Sequence, residues 1–346
     1  MQRRSQTHCQ ARIRVVGVGG GGITAINRLV GSGIYGVDFI TVDADEEAAS
    51  ISKAPVHIDI SSESAGKRGL GGDVKQARSL GETASEVISN ALSGSDLVII
   101  IAGLGGGVGT GTSPVVADIA KQVDAVVFGI VTYPFNFEGE RRMATADLGI
   151  DRLKAWTDTL IVVPNDRMLR IGGGTVGFHE TYRLAHDIWQ QSVEGISDLV
   201  NRSGLINVDF ADVRSILSEG GGAIIATGKG SGPSRARDAA LRATRSDLLG
   251  ITIDQATGLL FNVVGGTDLT LLEVEEAASV LTRRAQPEAN VIIGASINAA
   301  LKDEIRITVV ATGFDATALK QGMKDRAREV PAEHRAPSQA PAFAAH

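Results

Sequence analysis

The stretch Ala102-Gly103-Leu104-Gly105-Gly106-Gly107-Val108-Gly109-Thr110-Gly111-Thr112-Ser113-Pro114 constrains the fold more than any other part of the chain. It follows Asp96-Leu97-Val98-Ile99-Ile100-Ile101, an apolar run that reads as a strand buried on both faces. It precedes an apolar-periodic segment for which Ser113 is a candidate N-cap and Pro114 a candidate first residue. A strand, a glycine run and a helix start gather backbone N–H groups around a concavity, and the positive end of the helix dipole points into it. Side chains there would block a polyphosphate, and several residues are expected at positive φ. A flexible linker would show glycines too, but not between a buried strand and a helix.

The same arrangement occurs earlier. Ile13–Val18 reads as a strand, Gly19-Gly20-Gly21-Gly22 as a loop, and Ile23–Val30 as a helix with apolar residues at i, i+3, i+4 and i+7. A second strand, Val37–Val42, ends in Asp43-Ala44-Asp45. Taken alone, this βαβ unit is a candidate NAD(P) site, with Asp43 or Asp45 placed to hold a ribose hydroxyl. The second glycine loop tells against that reading. One pyrophosphate does not need two cradles, whereas a triphosphate can use both. His57, His179 and His186 have no partner set that spacing establishes, so no hydride-transfer constellation is visible.

Strand and helix alternate through the first half: a helix near Val74–Leu92, strands at Ala125–Val131 and Thr159–Pro164, and a helix at Glu140–Trp156. This predicts a doubly wound parallel α/β sheet covered on both faces. From Phe178 to Asn201, Tyr182, Ala185, Ile188, Trp189, Val193, Ile196 and Val200 recur at helical spacing, which predicts a long amphipathic spine. A smaller α/β half follows. The expected organisation is a leader over 1–11, a nucleotide-binding domain over 12–177, a central helix over 178–203, a C-terminal domain over 204–314 and a partly disordered tail over 315–346.

Composition narrows the function classes. The 346 residues suffice for two cores, and a net charge of −6 argues against a nucleic-acid surface. No apolar run reaches bilayer length and no apolar signal region opens the chain, so neither membrane insertion nor export is expected. The single cysteine, Cys9, allows no intramolecular disulfide and fits a reducing cytoplasm.

Five motifs in order carry a resemblance: GVGGGG at 17–22, GLGGGVGTGTSP at 103–114, PFNFEGERRM at 134–143, VPNDRML at 163–169 and GLINVDFADVRSIL at 204–217. On them the chain is identified as a member of the FtsZ family of the tubulin/FtsZ GTPase superfamily, a likeness running from Arg12 to about Phe314. The resemblance implies GTP/GDP as ligand, with Mg2+ carried by the phosphates. It assigns the phosphates to Gly20, Gly21, Gly22, Ile23 and Thr24, to Gly71 and Gly72, and to Gly103, Gly105, Gly106, Gly107, Val108, Gly109, Thr110 and Gly111. Glu138 and Arg142 fall to sugar and phosphates, Pro134 to the nucleotide without a finer role, Asn165 and Asp187 to guanine, and Tyr182 to stacking on the base. Asn207, Asp209 and Asp212 would enter the neighbouring subunit's site and polarise the attacking water. Read without the resemblance, Asp209 or Asp212 caps the next helix, and Asp187 is a solvated helix-face residue.

The implied protein is a cytoplasmic, head-to-tail homopolymer concentrated at the division site of a prokaryotic cell. Its end, Gln339–His346, resembles the family's peptide for membrane-tether and division proteins. The chain departs from the family pattern at Ile23, Thr24 and Val108, and in a short loop, Gly69–Asp73, that adds a carboxylate. Two like charges ~4 Å apart repel by roughly 4 kcal/mol at an effective dielectric near 20, so Asp73 is expected to turn away or meet a cation. These departures predict slow GTP turnover, and a non-hydrolysing structural relative is the alternative.

Overall fold

The parity of side chains along the central strands decides the architecture. In β4 (Leu97–Gly103), Leu97, Ile99 and Ile101 enter one apolar cluster, while Val98, Ile100 and Ala102 enter another on the opposite face. Both sets are fully buried, as period-2 alternation requires of a strand with helices on both faces. The structure is a computed structural model that describes residues 11–61, 70–167, 178–201, 204–218, 222–246, 251–254 and 256–314; for 178–188, 246 and 251 it describes the backbone alone. The leader to residue 10 and the tail from 315 lie outside the described residues.

The other strands are β1 (Ile13–Val18), β2 (Val37–Asp43), β3 (Val56–Asp59), β5 (Val126–Tyr133), β6 (Thr159–Pro164), β7 (Gly222–Ser231), the short pair β8 (Arg245–Ser246) and β9 (Ile251–Thr252), β10 (Gly258–Gly265), β11 (Asn290–Ile297) and β12 (Glu304–Phe314). All but the short pair form one ten-stranded sheet in the order β11-β10-β12-β7-β6-β5-β4-β1-β2-β3. Strands β1 to β6 are mutually parallel. In the second half β12 runs antiparallel to both β7 and β10. A single parallel residue pair, Leu160 with Gly222, joins the halves.

The helices are α1 (Gly19–Gly31), α2 (Glu46–Ile51), α3 (Val74–Thr83), α4 (Ser85–Leu92), α5 (Gly107–Gln122), α6 (Glu140–Leu153), α7 (Phe178–Asn201), α8 (Phe210–Ser218), α9 (Arg235–Ala243) and α10 (Leu271–Thr282). One sheet face packs on α1, α7 and α8 through Ile26, Leu29, Val193, Ile196, Val213 and Ile216. The other packs on α4, α5 and α6 through Ile88, Val116, Ile119, Ile150 and Leu153. Leu260 and Val310 of the second half also join the α7 side, so this helix spans both halves. Polar contacts pin it to each. Ser197 donates to the Tyr35 carbonyl at 2.5 Å and Asn201 to that of Gly36 at 2.9 Å, while Arg306 of β12 pairs with Glu194 at 3.1 Å and Asp198 at 3.3 Å.

Three local expectations are corrected. Helix α5 begins at Gly107, so Ser113 and Pro114 lie inside it rather than at its start. Ser113 donates back to the Gly109 carbonyl at 2.5 Å, and buried packing holds Pro114 where an interior proline ordinarily costs ~3 kcal/mol. Helix α1 likewise starts at Gly19, so the first glycine run is a helical turn rather than a loop. The segment 74–92 is two helices broken at Ala84, where the Thr83 hydroxyl bonds back to Ser79.

A buried guanidinium ties α9 to α10. Arg235 is 7% exposed and bonds Glu273 at 2.7 Å and Asp268 at 2.6 Å. The Arg235 hydrogen bond holds the Glu273 carboxyl down at about 2. A depressed acid stabilises the fold above its ordinary pKa and loses that contribution as pH falls toward the folded value. Denaturant titrations between pH 5 and pH 2 should therefore show on the order of 2 kcal/mol of stability disappearing in the wild type and much less in Glu273→Gln. At pH 7, Arg235→Met should cost about 3 kcal/mol by stranding two carboxylates.

Candidate functional site

The strand order reverses between β4 and β1: β5 and β6 continue to one side, β2 and β3 to the other. Helices α1 and α5 leave these adjacent strands toward opposite faces. A crevice therefore opens beyond the carboxyl ends of the strands at a topological switch point. It is a cleft of about 800 Å³ lined by Gly20, Gly21, Thr24, Gly71, Gly72, Gly103, Gly105, Gly106, Gly107, Val108, Gly109, Pro134, Glu138, Arg142 and Asn165, all anticipated from sequence.

What the cleft offers is set by the ends of two helices. Helices α2, α3 and α10 are capped by the side chains of Asp45, Asp73 and Thr270. Helices α1 and α5 have no side-chain cap and no acidic residue in the first turn. Each leaves backbone N–H groups without an intrahelical partner and about half a positive charge. Both starts lie in the cleft wall. Such a wall is electrostatically suited to an anion.

The approach that brings the two starts together depends on Gly109. A Cβ there would stand 2.3 Å from the Gly103 carbonyl oxygen at the end of β4. Thr110 fixes the same turn from behind, its buried hydroxyl accepting from Gly105 N–H at 2.9 Å. Thr110, Gly22, Ile23 and Gly111 are all buried and lie behind the cleft lining rather than in it. Thr24 lines the cleft, but its hydroxyl donates to the Gly20 carbonyl at 2.9 Å. The Asp73 backbone packs against Gly107, while its carboxylate accepts from Lys75 and Gln76 N–H at 2.9 and 3.0 Å as the cap of α3.

At the other end of the cleft, Glu138 accepts from Phe135 N–H at 2.9 Å and is ion-paired with Arg142. Asp166 holds the same loop through Asn136 N–H at 3.2 Å, beside Asn165. The side chains of Tyr182 and Asp187 lie outside the described residues. Sequence reasoning did not place Thr132, Arg141, Thr145 or Trp189 in this cleft. Thr132 could have been found as a residue near the carboxyl end of a parallel strand. Trp189, 5% exposed, belongs to the apolar stripe of α7 and gave no separate signal. Asp43 also lines the cleft, and burial, aided by Asp45 and Asp59, pushes its carboxyl up to about 6.

The loop carrying Asn207, Asp209 and Asp212 sits elsewhere. Arg214 of α8 bonds Asp124, just before the amino end of β5, at 2.6 and 3.1 Å. The preceding end of α7 is tied to Tyr35 and Gly36, just before β2. The loop is thus at the amino ends of the strands, and the cleft at their carboxyl ends. A strand of 8 residues separates the two poles by about 25 Å. Within the loop, Gly204 N–H donates to the Asn207 side chain at 2.7 Å, Ile206 and Ala295 exchange two backbone bonds of 3.1 Å, and Asp209 precedes α8 with its side chain 3.4 Å from Ala211 N–H. A Cβ at Gly204 would meet the Ala295 carbonyl at 2.2 Å, so that edge-strand seat needs glycine. Asn207, Asp209 and Asp212 are all exposed at the surface. They cannot reach their own chain's cleft.

Known proteins share this arrangement. The profile of the Tubulin/FtsZ family GTPase domain matches residues 12–173, and that of the FtsZ family C-terminal domain matches 221–315. An FtsZ dimer from M. jannaschii, solved empty, is similar at 38% identity and a TM-score of 0.82, over 89% of each chain. A tryptophan-to-tyrosine mutant of M. jannaschii FtsZ gives 39% and 0.81, over 88% of this chain and 91% of that one. CetZ2 from Haloferax volcanii, solved as a GTPγS-bound protofilament, shares the fold at 20% identity and a TM-score of 0.76, over 92% of this chain and 98% of that one.

Gly109→Ala should force the first turn of α5 away from β4 and cost about 1–3 kcal/mol, measured by guanidinium denaturation, with the cleft widened at Gly103–Gly105. A stability equal to wild type would mean that the turn tolerates the added methyl.

Proposed function

Because the chain belongs to the Tubulin/FtsZ family, we propose that it binds GTP in the cleft, polymerises head to tail and hydrolyses GTP at the junction between subunits, as a component of the cytokinetic (Z) ring of prokaryotic cell division. The observation that carries the reading is the pair of uncapped helix starts, α1 and α5, in one cleft. A dinucleotide would use the first and leave the second idle. A triphosphate uses both.

In this reading the glycine turns of α1 and α5 hold the phosphates by backbone N–H groups, with Mg2+ as their charge partner. Arg142 and Glu138 meet the sugar and phosphates, while Asn165 and Asp187 meet the guanine edge. The exposed loop at the opposite pole fits the next subunit's cleft, because a surface that joins one pole to the other repeats without closing and generates an open filament. Asp212 or Asp209 then takes a proton from the attacking water, and Asn207 orients it. The two carboxylates stand in the first turn of α8 and just before it, exposed at the surface where a neighbouring subunit could meet them.

Thr24 and Val108 support slow turnover. The first spends its hydroxyl on Gly20, and the second has none to offer a phosphate. No helix among the described residues is long and apolar enough to cross a membrane, so attachment to one would fall to tether proteins bound at the tail.

Sedimentation and phosphate release, followed together as protein concentration rises, test the reading. The rate per subunit should climb with assembly. Asp212→Ala should sediment with GTP yet release phosphate at least ~10²-fold more slowly. Mixing it with Gly109→Ala should restore turnover, because an intact cleft then meets an intact loop. Equal rates per subunit in dilute, monomeric samples would overturn the proposal. Trp189 supplies an independent readout: in a Trp156→Phe background, its emission should change on GTP or GDP addition and stay constant with NAD.

A further inference from the structure

Among the described residues, Asp43 is the one carboxylate that reaches the cleft from the sheet itself. It ends β2, next to β1, and is 4% exposed. Its Oδ1 accepts from Ala44 N–H at 2.7 Å, and the residue lines the same cavity as Gly19, Gly20 and Gly21 at the start of α1. The charges acting on it are both negative: Asp45, the cap of α2, and Asp59, its register partner on β3. The α1 residues that line the cavity with it, Gly19, Gly20, Gly21 and Thr24, do not titrate, and β1 ends beside it at Val18, the register partner of Val42. The cleft's arginines, Arg141 and Arg142, belong to α6, and Arg142 is engaged by Glu138.

Mg·GTP remains net negative, so its entry beside a buried carboxylate already flanked by two others pushes that carboxylate toward its neutral form. As the neutral acid it becomes a hydrogen-bond donor, the form a phosphate oxygen requires. We propose that Asp43 contacts the phosphates of the bound nucleotide as a protonated acid, so that nucleotide binding takes up a proton. The proposal rests on the nucleotide reading above. Without ligand, burial already places this carboxyl near 6, close to where the transition has to occur. The sign follows. A group whose pKa rises on binding favours the complex at low pH and loses that advantage as pH climbs past the bound-state value.

Titration calorimetry of Mg·GTP into the full chain at pH 7, in buffers of different ionisation enthalpy, counts the protons. If the carboxyl becomes a tenfold weaker acid in the complex, the uptake is ~0.4 proton per nucleotide at pH 7, and the affinity is ~fivefold weaker at pH 8 than at pH 6. Asp43→Asn keeps an acceptor for Ala44 N–H and should fold, as its melting curve will check. It should lose the extra proton and the extra pH dependence, while ionisation of the γ-phosphate itself, common to both proteins, cancels in the difference. Equal proton counts and equal pH profiles for the two proteins would overturn the proposal while leaving nucleotide binding intact. So would a count of zero in the wild type with affinity lost in the variant, since that marks an ionised Asp43 held by a cation. Absence of GTP binding by either protein at any pH would overturn the nucleotide reading, and this proposal with it.

Discussion

The reversal of strand order between β4 and β1 is the constraint from which the rest follows. Adjacent parallel strands on the two sides of a switch point send their helices to opposite faces, and the helix starts are then the backbone groups left open beyond the strand ends. In this chain both starts are glycine turns without caps, and α2 and α3 close by are capped by aspartates. Helices α4, α6 and α9 also lack a side-chain cap but carry Glu86, Glu140 and Asp238 in the first turn, so α1 and α5 are set apart by having neither cap nor acid. The same logic explains why carboxylates near the cleft matter: Asp45 and Asp73 are spent on caps, and Asp43 is not.

Helix α7 converts this local site into a molecule with two poles. Its middle reaches the cleft at Trp189, and its end is tied to the turn before β2 at the opposite side of the sheet. Between them, Arg306 binds Glu194 and Asp198 and fastens the second half to the same rod. The acidic loop that follows is held by the Ile206–Ala295 bridge and by Asn207 folding back on Gly204. It is a surface feature at the amino ends of the strands, the pole opposite the glycine turns.

Much of this was legible before any coordinates. The buried strand at 97–101, the glycine turns and the long apolar stripe of 178–201 each follow from periodicity and turn chemistry, and the motif order identified the family. Boundaries were harder. Ser113 and Pro114 look like a helix start because propensity is local, whereas the real start at Gly107 is decided by a backbone contact with Gly103 that only folding creates. Strand β3 is four residues at an edge and carries too little pattern to announce itself. Ile23 and Thr110 show the other limit. A residue inside a phosphate-binding motif can serve the backbone around it rather than the ligand, and sequence does not distinguish the two. Trp189 shows the converse, a core residue that also lines the cleft.

The two halves of the ten-stranded sheet meet at one residue pair, Leu160 with Gly222. A ladder of several pairs resists shear along its whole length, but a single pair acts as a pivot, with little to oppose tilting about it. Resistance to such tilting falls to the elements that bridge the halves beside the sheet: the rod α7 with Arg306, Glu194 and Asp198, and helix α8, whose Leu217 carbonyl accepts from Thr159 and whose Arg214 bonds Asp124. A load passed between the poles would be shared by these two helices rather than by the strand ladder.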